Sequence, residues 1–255
     1  MVRTVEVDSS DMFTSLRDGV AFESVCTGRK GAVLLAHTPD GSAPMVRSTT
    51  KYERAHQRFR SAHAGLSSDI ALAFAMPSLV FNNALVEEYT WQYRTMGMHC
   101  DQALDLVDDS FICLFSCYSN PEDPDCDVRQ LVIRDKVSSK ELIVQLAHCS
   151  AVLFSVADNA RFVHQIVPTV RECCGRSTTW LGVTFRCSKR AVMYVGGKAY
   201  LETGRELLLL RTRALAVEFY KQRRLENGAL AKFEYDKEAE HVTVSPSDMF
   251  PPVIL

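Results

Sequence analysis

The sequence predicts an α+β fold: a sandwich or barrel of short strands between a partly helical N-terminal lobe and a C-terminal helix. Two observations predict it. Between about residues 81 and 195, many short apolar or β-branched segments alternate with turn signals. Outside that region, Phe59, His63, Leu66, Ile70 and Phe74 recur at helical spacing, and a Thr203/Glu206 pair has the spacing of a capping box. With 255 residues, 47% of them hydrophobic, the chain has enough apolar material for one full core. The expectation is a single domain, with 1–80 as an N-terminal lobe or lid, 81–200 as the core, and 201–255 as C-terminal helix and tail.

The elements follow in order. Ser9 or Ser10 is a cap for a short helix through Met12, Leu16 and Arg17, stopped at Gly19. Ala32–Ala36 reads as a strand, Asp40-Gly41 as a turn, and Met45–Thr50 as a second strand. A helix is expected from Ala55, with the Phe59-to-Phe74 series as its buried face and Pro77 as its end. Strands are then expected at Phe81–Trp91, Arg94–Asp101, Phe111–Cys117, Arg129–Arg134, Leu142–His148, Ala151–Val156, Phe162–Val167, Leu181–Cys187 and Ala191–Val195. Asn120, Pro121 and Pro124 mark a turn. The last helix is expected from Thr203 to about Arg224, with Gly228 just beyond it and an extended tail through Pro251 and Pro252.

Charge and cysteine content exclude some functions. Lys+Arg is 29 and Asp+Glu is 31, a net charge of -2, unlike a chain that grips duplex phosphates over its whole surface. No apolar run has membrane-spanning length, and Met1–Val7 lacks a signal-peptide core. The nine cysteines are scattered, with Cys173 and Cys174 adjacent, so reduced thiols in a cytoplasmic setting are expected. Cys113, Cys117 and Cys126 do not have zinc-knuckle spacing and read as buried thiols.

His99-Cys100-Asp101 carries the most chemistry. On a strand, residues two apart face the same way, so His99 and Asp101 would project together. One more histidine completes a two-histidine, one-carboxylate face for ferrous iron, with open positions opposite. His148 and His164 both follow at suitable distance. His164 is preferred because its flanks, Phe162 to Pro168, read as a strand that fixes its direction.

These residues also resemble a known family. Phe81-Asn-Asn-Ala-Leu-Val-Glu-Glu-Tyr89, followed by His99 and Asp101, is similar to the Fe(II)/2-oxoglutarate dioxygenases, most of all their AlkB-like branch. Leu146-Ala-His-Cys-Ser150, His164-Gln-Ile-Val-Pro168 and Leu181-Gly-Val-Thr-Phe-Arg186 keep that branch's order. There an apolar L-x-H-G-S turn precedes the distal histidine, and a strand ending L-T-F-R comes next. The resemblance spans about Phe81 to Lys189. It implies a double-stranded β-helix (jelly roll) core, iron on His99, Asp101 and His164, and 2-oxoglutarate and dioxygen as co-substrates. In that family 2-oxoglutarate is converted to succinate and carbon dioxide while a substrate C–H bond is oxidised.

The far carboxylate of 2-oxoglutarate calls for a cation, ideally a guanidinium. Arg186 is the candidate, with Arg190 and Tyr89 in reserve. The sequence departs from the branch at three places. Trp180 stands where the branch has an earlier arginine, Gly182 where it has an asparagine, and Glu87 where it has another asparagine before the tyrosine. Arg186 is therefore left to hold either end of the co-substrate. Arg47, Thr49, Thr50, Lys51 and Tyr52 are substrate-binding candidates from the N-terminal lobe. The basic run Arg47, Lys51, Arg54, Arg58 and Arg60 reads either as an anion-facing surface or, the weightier reading, as the solvated side of a helix. The expected reaction is hydroxylation of a small, polar or amino-acid-like molecule. The runner-up is AlkB-like oxidative demethylation of a nucleobase or protein, with nucleic acid as the second-ranked partner. A non-enzymatic binding module comes third.

Overall fold

A computed structural model describes residues 2–7, 11–123, 128–169 and 178–254. Its N-terminal elements are β1 (Arg3–Glu6), α1 (Met12–Arg17), β2 (Glu23–Cys26), β3 (Arg29–Leu35), β4 (Ala43–Pro44), β5 (Gln57–Arg58) and α2 (Ser61–Ala73). The middle holds β6 (Asn83–Tyr89), β7 (Phe111–Tyr118), β8 (Arg129–Asp135), β9 (Glu141–Leu146), β10 (Ser150–Ser155), α3 (Val156–Arg161), β11 (Phe162–Pro168) and β12 (Trp180–Arg186). The remainder is β13 (Ala191–Val195), β14 (Lys198–Leu201), β15 (Leu208–Leu209), α4 (Arg213–Gly228) and β16 (Val242–Thr243), with 3-10 turns at Lys237–His241 and Pro246–Met249.

The large sheet runs in the order β1-β10-β7-β12-β6-β3-β2, with β5 beside β3. Only the short β3–β5 pairing within it is parallel. A second sheet has the order β11-β8-β9, all antiparallel. The architecture is α+β, as the sequence predicts, and its sheets are mostly antiparallel.

Strand alternation gives the large sheet two different faces. Leu181, Val183 and Phe185 of β12, with Cys113, Phe115 and Cys117 of β7, pack on one side against Leu16 of α1 and Leu66, Ile70 and Phe74 around α2. The other face carries Ile112, Leu114, Phe154 and Trp180, which meet Leu131, Ile133 and Ile166 of the second sheet. The helices of the N-terminal lobe thus back the sheet on the side away from the cavity described below. Of the residues expected to form a lid, the 45–50 stretch reaches that cavity. Cys113 and Cys117 lie in the backing core, and their burial pushes both thiols up. Cys126 and the Cys173-Cys174 pair lie outside the described residues, as do Ser9, Ser10 and Pro124.

Several expected elements are corrected. Met45–Thr50 is not a strand; pairing in that region is limited to β4, against β13. The helix expected from Ala55 starts at Ser61, because Gln57 and Arg58 are drawn into pairing with β3. It ends before Pro77, with Ala75 turning the chain at φ 53°. Its expected face is present: His63, Leu66 and Ile70 are buried, and His63 Nε2 lies 3.0 Å from the Leu16 carbonyl. Arg94–Asp101 is not a strand. The short α3 has a capping box of Ser155 and Asp158 and is absent from the sequence reading. The C-terminal helix is capped by Thr212, not Thr203, since Glu206 pairs with Lys198 and Leu208–Leu209 pairs with β16. The tail forms 3-10 turns where an extended chain is expected.

Candidate metal centre

His99 and His164 pair their backbones in an isolated antiparallel bridge. His99 N–H donates to the His164 carbonyl at 3.0 Å, and His164 N–H returns the bond at 2.7 Å. The bridge adds one rung to the free edge of β11. The rest of the His99–Asp101 segment is a loop held by helices. Asn159 of α3 accepts from the Asp101 N–H and donates to its carbonyl, both at 2.8 Å. From α4, Asn227 accepts from the Cys100 N–H at 2.7 Å and Glu226 from the Ala103 N–H at 2.7 Å. Arg223 donates to the Cys100 carbonyl. Side chains distant in sequence therefore do for this loop what a strand ladder was expected to do.

The result is a compact donor cluster. One ligand atom from each of His99, Asp101 and His164 lies within 4.8 Å of the others. Asp101 Oδ1 is 3.7 Å from His164 Nε2 and 4.0 Å from His99 Nε2. The other oxygen, Oδ2, accepts from Arg186 Nε at 2.7 Å and Nη2 at 2.6 Å. His99 Nδ1 is 2.9 Å from the Gly97 carbonyl, which fixes that nitrogen as the proton carrier and leaves Nε2 as a lone-pair donor.

Electrostatics favour the metal-binding forms. Burial alone would raise the Asp101 carboxyl, but Arg186, then His164 and His99, hold it well below the usual carboxylate range. Burial, reinforced by His99, lowers His164 to about 4. An ionised carboxylate and neutral imidazoles are what a divalent ion requires. Two nitrogens and one oxygen on one side of a cavity fit ferrous iron.

The cavity has a volume of about 320 Å³. Its floor is the large sheet, with Leu114, Thr184 and Leu85; its walls include Phe154, Ile166 and Met96. Thr49 and Thr50 line it. Arg47 also lines it but is engaged elsewhere: its Nε and Nη2 bond Asp105 at 2.9 and 2.6 Å, and its Nη1 bonds the Ala239 and Val242 carbonyls. Lys51 is exposed and lies outside the lining, and Tyr52 is buried behind Gly31. Tyr89 is fully buried, its hydroxyl donating to Glu87 at 2.8 Å. Arg190 is off the cavity wall and pairs with Glu240 at 3.0 Å. His148 is not part of the cluster; its Nδ1 accepts from the Tyr118 N–H at 3.1 Å. The sequence reading missed Asn159, Arg223, Glu226 and Asn227, and missed Arg29, which also lines the cavity. Only the Ser155/Asp158 box, one residue before Asn159, carried a local signal.

No family model matches the sequence, and no curated protein does. Among solved structures, that of OsALKBH1 aligns with a TM-score of 0.51 at 14% identity, covering 72% of this chain and 97% of that one. The likeness is one of fold.

Proposed function

We propose that this protein is an Fe(II)- and 2-oxoglutarate-dependent dioxygenase that performs AlkB-like oxidative demethylation. The reading rests on one observation: a His-Asp-His cluster at a cavity, on a fold similar to an AlkB homologue. In this reading His99, Asp101 and His164 hold the iron, and residues 81–200 form the double-stranded β-helix core. Bound iron and 2-oxoglutarate would supply the oxidising chemistry toward a substrate methyl group. The chain's own part is placement. Arg186 engages one oxygen of Asp101 and so turns the other toward the metal. Phe154, Leu131, Ile166 and Met96 keep that side of the cavity dry.

Hydroxylation of a small, polar or amino-acid-like molecule is less well supported. It leaned on a cationic N-terminal lobe, and two cations of that lobe are engaged by the protein itself. Arg47 is tied to Asp105, and Arg58 donates to the carbonyls of Ala36 and Ser42. The cavity wall mixes charged, polar and apolar side chains. No helix among the described residues is long and apolar enough to cross a membrane.

The test is succinate release with Fe(II), ascorbate and 2-oxoglutarate, stimulated by methylated oligonucleotides or methylated peptides. His99→Ala and His164→Ala should abolish it, whereas His148→Ala should not. Failure to bind iron and to release succinate would sink the enzyme reading and leave a binding module, whereas turnover unchanged in His99→Ala would sink the assigned metal centre.

A further inference from the structure

2-Oxoglutarate has a keto-acid end that chelates a metal and a second carboxylate two methylenes beyond the keto carbon. A buried carboxylate of this kind needs a cation. Among the described residues, four arginines and no lysine line the cavity: Arg29, Arg47, Arg186 and Arg223. Three of them are engaged by the protein itself. Arg47 is 1% exposed and divided between Asp105 and two carbonyls. Arg223 binds Glu226 at 2.7 Å and the Cys100 carbonyl. Arg186 is committed to Asp101, at the metal end.

Arg29 is different. It stands on β3, with Nε 2.7 Å from Glu87 Oε1 and Nη1 3.3 Å from the Tyr93 hydroxyl. The second Glu87 oxygen accepts from Tyr89, so both oxygens of Glu87 are occupied. The fork to Glu87 uses one edge of the guanidinium. Hydrogens on Nη1 and Nη2 remain, beside a Tyr93 hydroxyl that is free to donate. The cross-strand register explains the position. Trp180, Tyr89 and Arg29 form one row across β12, β6 and β3. The cation that β12 lacks at Trp180 is present in the same row, two strands away.

A second observation concerns the strand face beside Glu87. Gly31 lies directly opposite Glu87, and the Tyr52 hydroxyl covers it. Tyr52 is 2% exposed, and its hydroxyl has no hydrogen-bond partner. The charges also balance. The four arginines are matched by Glu87, Asp105, Asp101 and Glu226. A divalent metal would add two positive charges, and a dicarboxylate would cancel them.

We propose that Arg29, held in place by Glu87, is the anchor for the far carboxylate of 2-oxoglutarate. The proposal rests on the dioxygenase reading above. Its test uses protein loaded with Mn(II), which binds without redox chemistry, titrated calorimetrically with 2-oxoglutarate and with 2-oxobutyrate, which lacks the far carboxylate. Arg29→Gln should weaken 2-oxoglutarate binding roughly 10- to 100-fold. It should leave Mn(II) and 2-oxobutyrate affinity unchanged, with Arg29→Lys between the two. Because Arg29→Gln strands the Glu87 charge, the pair Arg29→Gln with Glu87→Gln is measured as well, and the same loss is expected. Wild-type 2-oxoglutarate affinity in either variant, or equal losses for both keto acids, overturns the assignment. Wild-type protein that takes Mn(II) but neither keto acid overturns the dioxygenase reading itself.

Discussion

Arg186 holds Oδ2 of Asp101 through Nε at 2.7 Å and Nη2 at 2.6 Å, while Oδ1 of the same carboxylate faces both imidazoles. The side chains of the pair are only 13% and 9% exposed, so solvent screens them little. One cation therefore does two things: it keeps a buried carboxylate ionised, and it leaves a single oxygen for a metal.

The first prediction follows from removing that cation. Arg186→Met strands a buried negative charge and should cost about 3 kcal/mol in metal-free protein. A divalent ion at the cluster replaces the lost positive charge, so the deficit should shrink at saturating Mn(II). Urea unfolding with EDTA and with Mn(II), on wild type and variant, reads both numbers. An equal deficit in the two conditions would mean that Arg186 acts by packing and not through Asp101.

Glycine positions give a second prediction. In the large sheet Glu87 is flanked by Gly182 on β12 and Gly31 on β3. A Cβ at Gly182 would collide with the Trp180 ring, which is also fixed by its Nε1 bond to Ser116 Oγ at 2.9 Å. A Cβ at Gly31 would collide with the Tyr52 hydroxyl. Both rings are buried, so Gly182→Ala and Gly31→Ala should each cost about 1–3 kcal/mol. Gly65 is the contrast: it lies on α2 with open space around it. Gly65→Ala should stabilise by up to about 1 kcal/mol through helix propensity. Denaturant midpoints for the three variants test the whole set. A neutral Gly182→Ala would refute the close packing of the Trp180 ring on Gly182.

How far the site was legible depended on where its order comes from. The strands from β6 to β13 declare themselves because apolar residues recur locally between turns, and α2 because its buried face repeats along one helix. His99, Asp101 and His164 stood out through residue type and spacing. Their mounting did not. The His99–Asp101 loop owes its shape to Asn159, Arg223, Glu226 and Asn227, which lie on two later helices and carry no local pattern. The same limit hid Arg29, whose role depends on cross-strand register with Tyr89 and Trp180. Thr203 misled as a helix cap because Glu206, its expected capping partner, is drawn to Lys198 on β14.

The pH dependence of stability supplies the last prediction. His63 is fully buried in the α1–α2 contact, with Nε2 at the Leu16 carbonyl and Nδ1 without a partner. Burial lowers it from 6.5 to about 4, with the Leu16 bond opposing and Arg60 adding to the shift. Below pH 6.5 the unfolded chain takes up a proton that the folded chain refuses until about pH 4. The stability tied to this group is therefore complete above pH 6.5 and is lost as pH falls toward 4, by about 3 kcal/mol at most. His63→Leu removes the titration along with one hydrogen bond. It should cost about 1 kcal/mol at pH 8, yet lose less stability than wild type between pH 6.5 and 4. Chemical unfolding across that interval reads the slopes directly, and parallel curves for the two proteins would refute the buried neutral histidine.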